Sequence, residues 1–168
     1  MIRRATLSDC NNLAALSIQV WLSAYARDGI NAAISDYVLA TFNQQHFVTL
    51  LAQDDYQIYV ATENELLLGF IAVNLCSDFK SSEHGFEIDT LYVQGRQQGR
   101  GIGRRLLQYI ATEHQAKYWL STWSHNVEAI DFYRRFGFKD IGQSYFELDG
   151  AQHENTVLAF NPDSANTA

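Results

Sequence analysis

The chain has 168 residues, 47% of them hydrophobic and 18% charged, with a formal net charge of −7. That length and apolar content fill the core of one compact domain and exclude a disordered chain. The negative charge argues against nucleic-acid backbones as the main partner and suits a cationic substrate. The opening MIRRATLSDC holds no apolar signal segment, and no run approaches the ~20 apolar residues of a membrane span. Cys10 and Cys76 are the only cysteines, too few and too isolated for a disulfide framework or a metal cluster, and the five histidines lack metal-ligand spacing. No metal site is therefore expected, and a reducing cytosol is the simplest setting.

Taken in order, Ile2 to Ala5 reads as a first strand, and Ser8 or Asp9 caps a helix carrying Leu13, Leu16 and Val20 on one side. Residues 28–36 form a small-residue loop, and a second helical region runs from about Asp36 to Ala52. Tyr56 to Ala61 and Leu66 to Leu75 make a strand pair around the polar turn Thr62 to Glu65, and Glu87 to Val93 adds a third long strand. A helix starts near Gly101, followed by a short strand from Tyr118 to Thr122 and a helix from Asn126 to Arg135 that Gly137 ends. Phe138 to Leu148 and Thr156 to Phe160 are the last strands, with a turn beginning at Asp149-Gly150. Pro162 opens a loose polar tail, so residues 1–161 form the domain and 162–168 the tail. Strands before, between and after helices, with no internal repeat, indicate a mixed α/β domain.

The most informative stretch is EIDTLYVQGRQQGRGIGRRLLQ, Glu87 to Gln108. It passes from an alternating strand through glycines into an amphipathic helix bearing Ile102, Leu106, Leu107 and Ile110 on one face. A helix start has unpartnered N–H groups and a positive dipole end, where an acidic residue is normally favoured. This chain places Arg100, Arg104 and Arg105 there instead. An anion between them resolves the conflict, and a pyrophosphate suits backbone amides at a helix start. The alternative reading is arginines that merely face water. Two familiar nucleotide motifs fail: Gly103 is followed by Arg104 and Arg105 rather than Lys-Ser or Lys-Thr, and Gly99, Gly101 and Gly103 do not have G-x-G-x-x-G spacing.

QGRGIG after EIDTLYV resembles the acetyl-CoA loop of the GNAT superfamily of N-acetyltransferases. NVEAIDFYRRFGFKDIG, Asn126 to Gly142, is similar to that superfamily's later helix and strand, with Asn126, Ala129, Phe132, Tyr133, Gly137 and Phe138 at matching positions. The resemblance implies a single domain with a mixed, mostly antiparallel sheet, flanking helices and a splayed central strand pair. It implies acetyl-CoA as cosubstrate, with the backbone of Leu91, Tyr92 and Val93 meeting its amide arm. Gln98, Gly99, Arg100, Gly101, Ile102, Gly103 and Arg104 would wrap its pyrophosphate, with further contacts from Asn126, Ala129, Phe132, Tyr133 and Arg135. Asn126 is equally a helix cap, and Arg135 equally a solvated cation.

Strand alternation puts Glu87, Asp89, Leu91 and Val93 on one face. An alkylamine with a pKa near ~10 must lose a proton before it attacks a thioester, so a base is needed. Glu87 matches the general base of some GNAT enzymes, with Asp89 beside it or simply solvated. Tyr133 matches the general acid for the departing thiolate, and its alternative is a packing ring in FYRRFGF.

The acceptor site of the superfamily draws on the first two helices and the last strands. Here Trp21, Tyr25, Tyr37, Phe42, Trp123 and Tyr145 can line a slot, and Asp28, Asp36, Asp54, Asp55 and Glu147 can attract cations. The second half of the chain, WLSTWSHNVEAIDFYRRFGFKDIG onward, is similar to bacterial spermidine/spermine N-acetyltransferases of the PaiA type. A polyamine acceptor is the reading this implies. A peptide N-terminus, another small amine, or a non-catalytic acyl-CoA-binding module remain alternatives, and the family habit admits a homodimer.

Overall fold

The computed structural model describes residues 1–148 and 150–165. Seven strands occur in the hydrogen-bonded order β1-β2-β3-β4-β5-β7-β6. The chain divides into two compact units, Met1–Val73 with Thr90–Tyr109, and Asn74–Asp89 with the chain from Ile110 onward. All three lysines, Lys80, Lys117 and Lys139, belong to the second unit.

The first unit opens with β1 (Ile2–Arg4), antiparallel to β2 (Tyr56–Glu63) in the register Ile2↔Ala61 and Arg4↔Tyr59. A short 3-10 turn, Leu7–Asp9, precedes α1 (Cys10–Tyr25). The expected cap at Ser8 or Asp9 takes a different form. Asp9 reaches back to accept the Thr6 N–H at 2.8 Å and is gripped by both Arg3 nitrogens at 2.8 and 2.9 Å. The Arg3 hydrogen bond is the main cause that holds the Asp9 carboxyl down at about 2. Leu13 and Leu16 bury against Ile58, Val60 and Phe70, with Val20 partly covered by the same cluster.

The long helix expected from Asp36 to Ala52 is two helices, α2 (Ala32–Thr41) and α3 (Gln44–Leu51). Asparagines set both starts. The Asn31 side chain accepts the Ile34 N–H and that of Asn43 the His46 N–H, each at 2.9 Å. Asparagine is among the best N-caps, so the run read as loop before Asp36 already winds into helix. β2 and β3 (Leu66–Asn74) join through Asn64 (φ 49) and Glu65 (φ 67), the double positive φ of a tight two-residue hairpin. A Cβ on Gly69 would stand 2.8 Å from the Tyr92 carbonyl oxygen, so only glycine lets β3 pass the end of β4 (Phe86–Val93) here. The unit ends on the first turns of α4 (Ile102–His114), where Ile102, Leu106 and Leu107 are buried.

In the second unit β4 pairs parallel with β5 (Tyr118–Trp123) only at Phe86↔Tyr118 and Glu87↔Trp119. That two-pair ladder is what strands that part company leave behind. β7 (Ala151–Phe160) lies antiparallel between β5 and β6 (Lys139–Leu148). The last strand therefore begins at Ala151 rather than Thr156, because Leu148↔Ala151 closes a tight hairpin whose Gly150 has φ 71. The Asp149 half of the expected turn lies outside the described residues. α5 (Val127–Phe136) runs from its Asn126 cap to Gly137 at φ 120, as expected. Tyr118, Phe138 and Phe160 pack ring on ring beneath it, with centroids 5.2 to 5.6 Å apart. Pro162–Ala165 forms a single helical turn, α6, where proline's fixed φ suits the first helical position and Asn161 accepts the Asp163 N–H at 3.1 Å.

Candidate active site

Two groups of candidate residues are built by different means, one in each unit. In the first unit the loop after β4 holds Gly99 at φ 77 and Gly101 at φ 75, conformations that glycine adopts without strain. A Cβ on either would meet nothing within 4 Å, so the space over these backbones is open to a ligand. α4 makes its first hydrogen bond from the Arg105 N–H to the Gly101 carbonyl at 3.0 Å. The amides of Ile102, Gly103 and Arg104 lie ahead of it without intrahelical partners. The first turn holds no acidic residue. Among the described residues Arg104 and Arg105 have no ion pair, while Arg100 bonds Gln97 and lies 3.7 Å from Glu63. Donors, dipole and cations all await an anion, and the loop fits a pyrophosphate. Gln98 reaches back to the Val93 carbonyl at 3.4 Å. Leu91, Tyr92 and Val93 are half-buried at the end of β4, with the Tyr92 ring edge-on to Phe70.

In the second unit Phe86 and Ile88 are buried, Glu87 is half-buried and Asp89 exposed, the alternation expected of a strand with one covered face. Burial chiefly pushes the Glu87 carboxyl above its ordinary value. A Ser77 hydrogen bond opposes this, and the Asp89 charge adds to it. A carboxylate so raised is a stronger base. Asn126 accepts the Ala129 N–H at 3.3 Å, and its side-chain nitrogen has no partner among the described residues. Tyr133 is buried between Phe132 and Phe138, with centroids at 5.2 and 5.4 Å, and its hydroxyl forms no hydrogen bond there. Burial raises its pKa further above that of an ordinary phenol, which is already protonated at neutral pH. Arg135 is exposed and has no ion pair among the described residues, whereas its neighbour Arg134 clamps Asp140 at 2.6 and 3.1 Å.

The aromatic candidates make ring contacts within each unit. Trp21 stacks on Tyr25 and tilts against Tyr37 in the first unit, and Trp123 meets His125 and His153 in the second. The sequence reading missed Ser77 and Trp119. Among the described residues no group of His, Cys, Asp and Glu is placed to hold a metal ion, and no helix is long and apolar enough to cross a membrane.

Residues 54–140 match the family model of the acetyltransferase (GNAT) domain, more than half of the chain. The chain belongs to the GNAT acetyltransferase family. Among GNAT relatives, it is 21% identical over 157 residues to an uncharacterised N-acetyltransferase of Lactobacillus delbrueckii subsp. lactis, covering 89% of this chain and 90% of that protein. It is 30% identical over 87 residues to the spermine/spermidine N(1)-acetyltransferase of Bacillus subtilis, covering 48% of this chain and 57% of that protein. The fold matches that of the PaiA N-acetyltransferase of Thermoplasma acidophilum, solved in complex with coenzyme A, at TM-score 0.77 and 18% identity over 96% of this chain and 98% of that one. The seven-stranded mixed sheet with flanking helices is thus the GNAT fold that the glycine turn and the FYRRFGF block imply.

Proposed function

We propose that this GNAT domain binds acetyl-CoA and transfers its acetyl group to a primary amine. The observation that carries the proposal is the start of α4: three amides without intrahelical partners, two unpaired arginines and no acidic residue around glycines whose open side faces away from the protein. Gln98 to Arg104 hold the pyrophosphate through their amides, with Arg104 the principal cation because Arg100 is already engaged by Gln97 and Glu63. Leu91, Tyr92 and Val93 offer backbone groups to the amide arm. Asn126 offers its unpartnered nitrogen beside Ala129 and Phe132, and Arg135 a free cation for the nucleotide end.

Bound acetyl-CoA supplies an activated acetyl thioester. Glu87 removes the proton from the ammonium of the acceptor, and its raised pKa makes it a better match to that task than an ordinary carboxylate. Asp89, next on the same face, raises it further by charge repulsion. The Tyr133 hydroxyl, protonated at neutral pH, gives its proton to the departing sulfur. A reducing cytosol and a homodimer complete the proposal. Neither cysteine is in a disulfide among the described residues, which suits the first.

The Bacillus relative's name supports a polyamine acceptor, as does the net charge of −7, although that match covers only half of this chain. The test is to incubate the protein with acetyl-CoA and a panel of spermidine, spermine, amino acids, peptides with free N-termini and aminoglycosides, following thiol release. Rapid release with one class establishes the transfer. No release with any of them, while acetyl-CoA still raises the melting temperature, would leave a binding module instead.

A further inference from the structure

Strand register assembles a sheet face in the second unit that the sequence does not display. Glu87 pairs with Trp119, Trp119 with Ala159, Trp123 with Asn155, and Asn155 with Ser144. Paired residues point the same way, so Glu87, Trp119, Ser121, Trp123, Asn155 and Ser144 share one face. The Phe79 ring lies over one end of it, 5.6 Å from the Trp119 ring and close enough to Gly142 that a Cβ there would touch it at 3.1 Å.

Two polar groups on this face are buried without partners. Trp119 is 6% exposed and its indole N–H has no hydrogen bond among the described residues, and the Asn155 side-chain oxygen is buried and equally unbonded among them. Among the described residues no hydrogen bond is made by the other end of the Asn155 amide either, so both its oxygen and its nitrogen are open to a ligand. A buried donor or acceptor left unmet destabilises the fold. An apolar residue would suit the fold better at Asn155, which points to a ligand that repays the cost.

The complement of that ligand follows from the two atoms. Trp119 can only donate, so it needs an acceptor, and the Asn155 oxygen needs a donor. They sit four residues apart along the β5/β7 pair, roughly 13 Å at ~3.3 Å per residue. A protonated polyamine offers donors alone. Of the described strand carboxylates, Glu87 and Asp89 lie on this face, while Glu154 and Glu147 alternate to the opposite one. There Glu154 is occupied by Ser124 and Gln143. An extended chain carrying both carbonyls and N–H groups satisfies both atoms.

Resting on the proposed acetyl transfer, we propose that the acceptor is an amide-bearing amine, a short peptide with its free N-terminus toward Glu87, lying along Trp119 to Asn155. Asn155 and Trp119 are then specificity residues for the acceptor.

The experiment compares tri-alanine amide with spermidine, chains of similar extended length, at fixed acetyl-CoA. Wild type should use the peptide with a kcat/KM at least tenfold higher. Asn155→Leu and Trp119→Phe should each raise the peptide KM about tenfold while leaving the acetyl-CoA KM within twofold, and Asn155→Leu should melt no lower than wild type. Unchanged peptide KM in both variants, or a preference for spermidine, overturns the inference. Acetylation of other amines but neither of these overturns it while leaving the proposed reaction standing. No transfer to any amine, with acetyl-CoA still bound, removes both.

Discussion

The glycine loop of the first unit, proposed to hold the cofactor, is made of backbone, whereas the face around Glu87 in the second is made of side chains brought together by strand register. At the loop, Gly99 and Gly101 contribute conformations and the start of α4 contributes amides, so what matters is the absence of bulk. On the β4/β5/β7 face, Glu87, Trp119 and Asn155 contribute specific atoms, two of them held buried and unbonded. A backbone site tolerates many side chains but no added Cβ. A side-chain site tolerates shape-preserving changes yet loses its chemistry with one atom.

The two regions should therefore fail in opposite ways. The largest effect is expected for Glu87→Gln, which should lower turnover about a thousandfold with acetyl-CoA affinity by calorimetry unchanged. Wild-type kcat should fall as pH drops through the raised Glu87 pKa, and the variant should lack that limb. Stability has its own sign. A folded pKa above the unfolded one contributes stability at pH below the unfolded value, lost as pH rises through the folded one. Glu87 thus gives no such support at neutral pH, and the Gln variant should melt no lower there. Tyr133→Phe should cost about a hundredfold in turnover while the ring keeps its packing against Phe132 and Phe138. Full activity would make it a core residue only.

Smaller effects belong to the loop, with affinity rather than turnover as the readout. Gly103→Val should weaken acetyl-CoA binding by at least about tenfold, ~1.4 kcal/mol, and kcat at saturation should survive. Arg104→Ala should weaken it by less than that and flatten its salt dependence. Arg100→Ala should do less still, because Arg100 is already shared with Gln97 and Glu63. Equal losses from the two arginines would contradict the assignment of Arg104 as the principal cation.

Local signals were readable from the chain. Glycine spacing, the missing acidic residue before Arg104, and the Asn126 cap with Gly137 closing α5 are each signals within a single element and its ends, and the structure keeps each. The α2/α3 break was equally local yet missed, since Asn31 and Asn43 outweigh a continuous apolar pattern. The Trp119–Asn155 face was out of reach. It depends on β7 inserting between β5 and β6, a strand order that no periodicity encodes. Tyr133 falls between: its place on α5 was evident, but its enclosure by rings from the chain on either side of Gly137 needed coordinates.

The distribution of lysines makes the molecule selectively addressable. With Lys80, Lys117 and Lys139 all in the second unit, an amine-reactive label meets in the first only the Met1 α-amine. Lys80 sits 5.0 Å over the Phe79 ring that bounds the Trp119 face. A fluorophore placed there would report occupancy of that face by a change in emission, leaving the glycine loop chemically untouched.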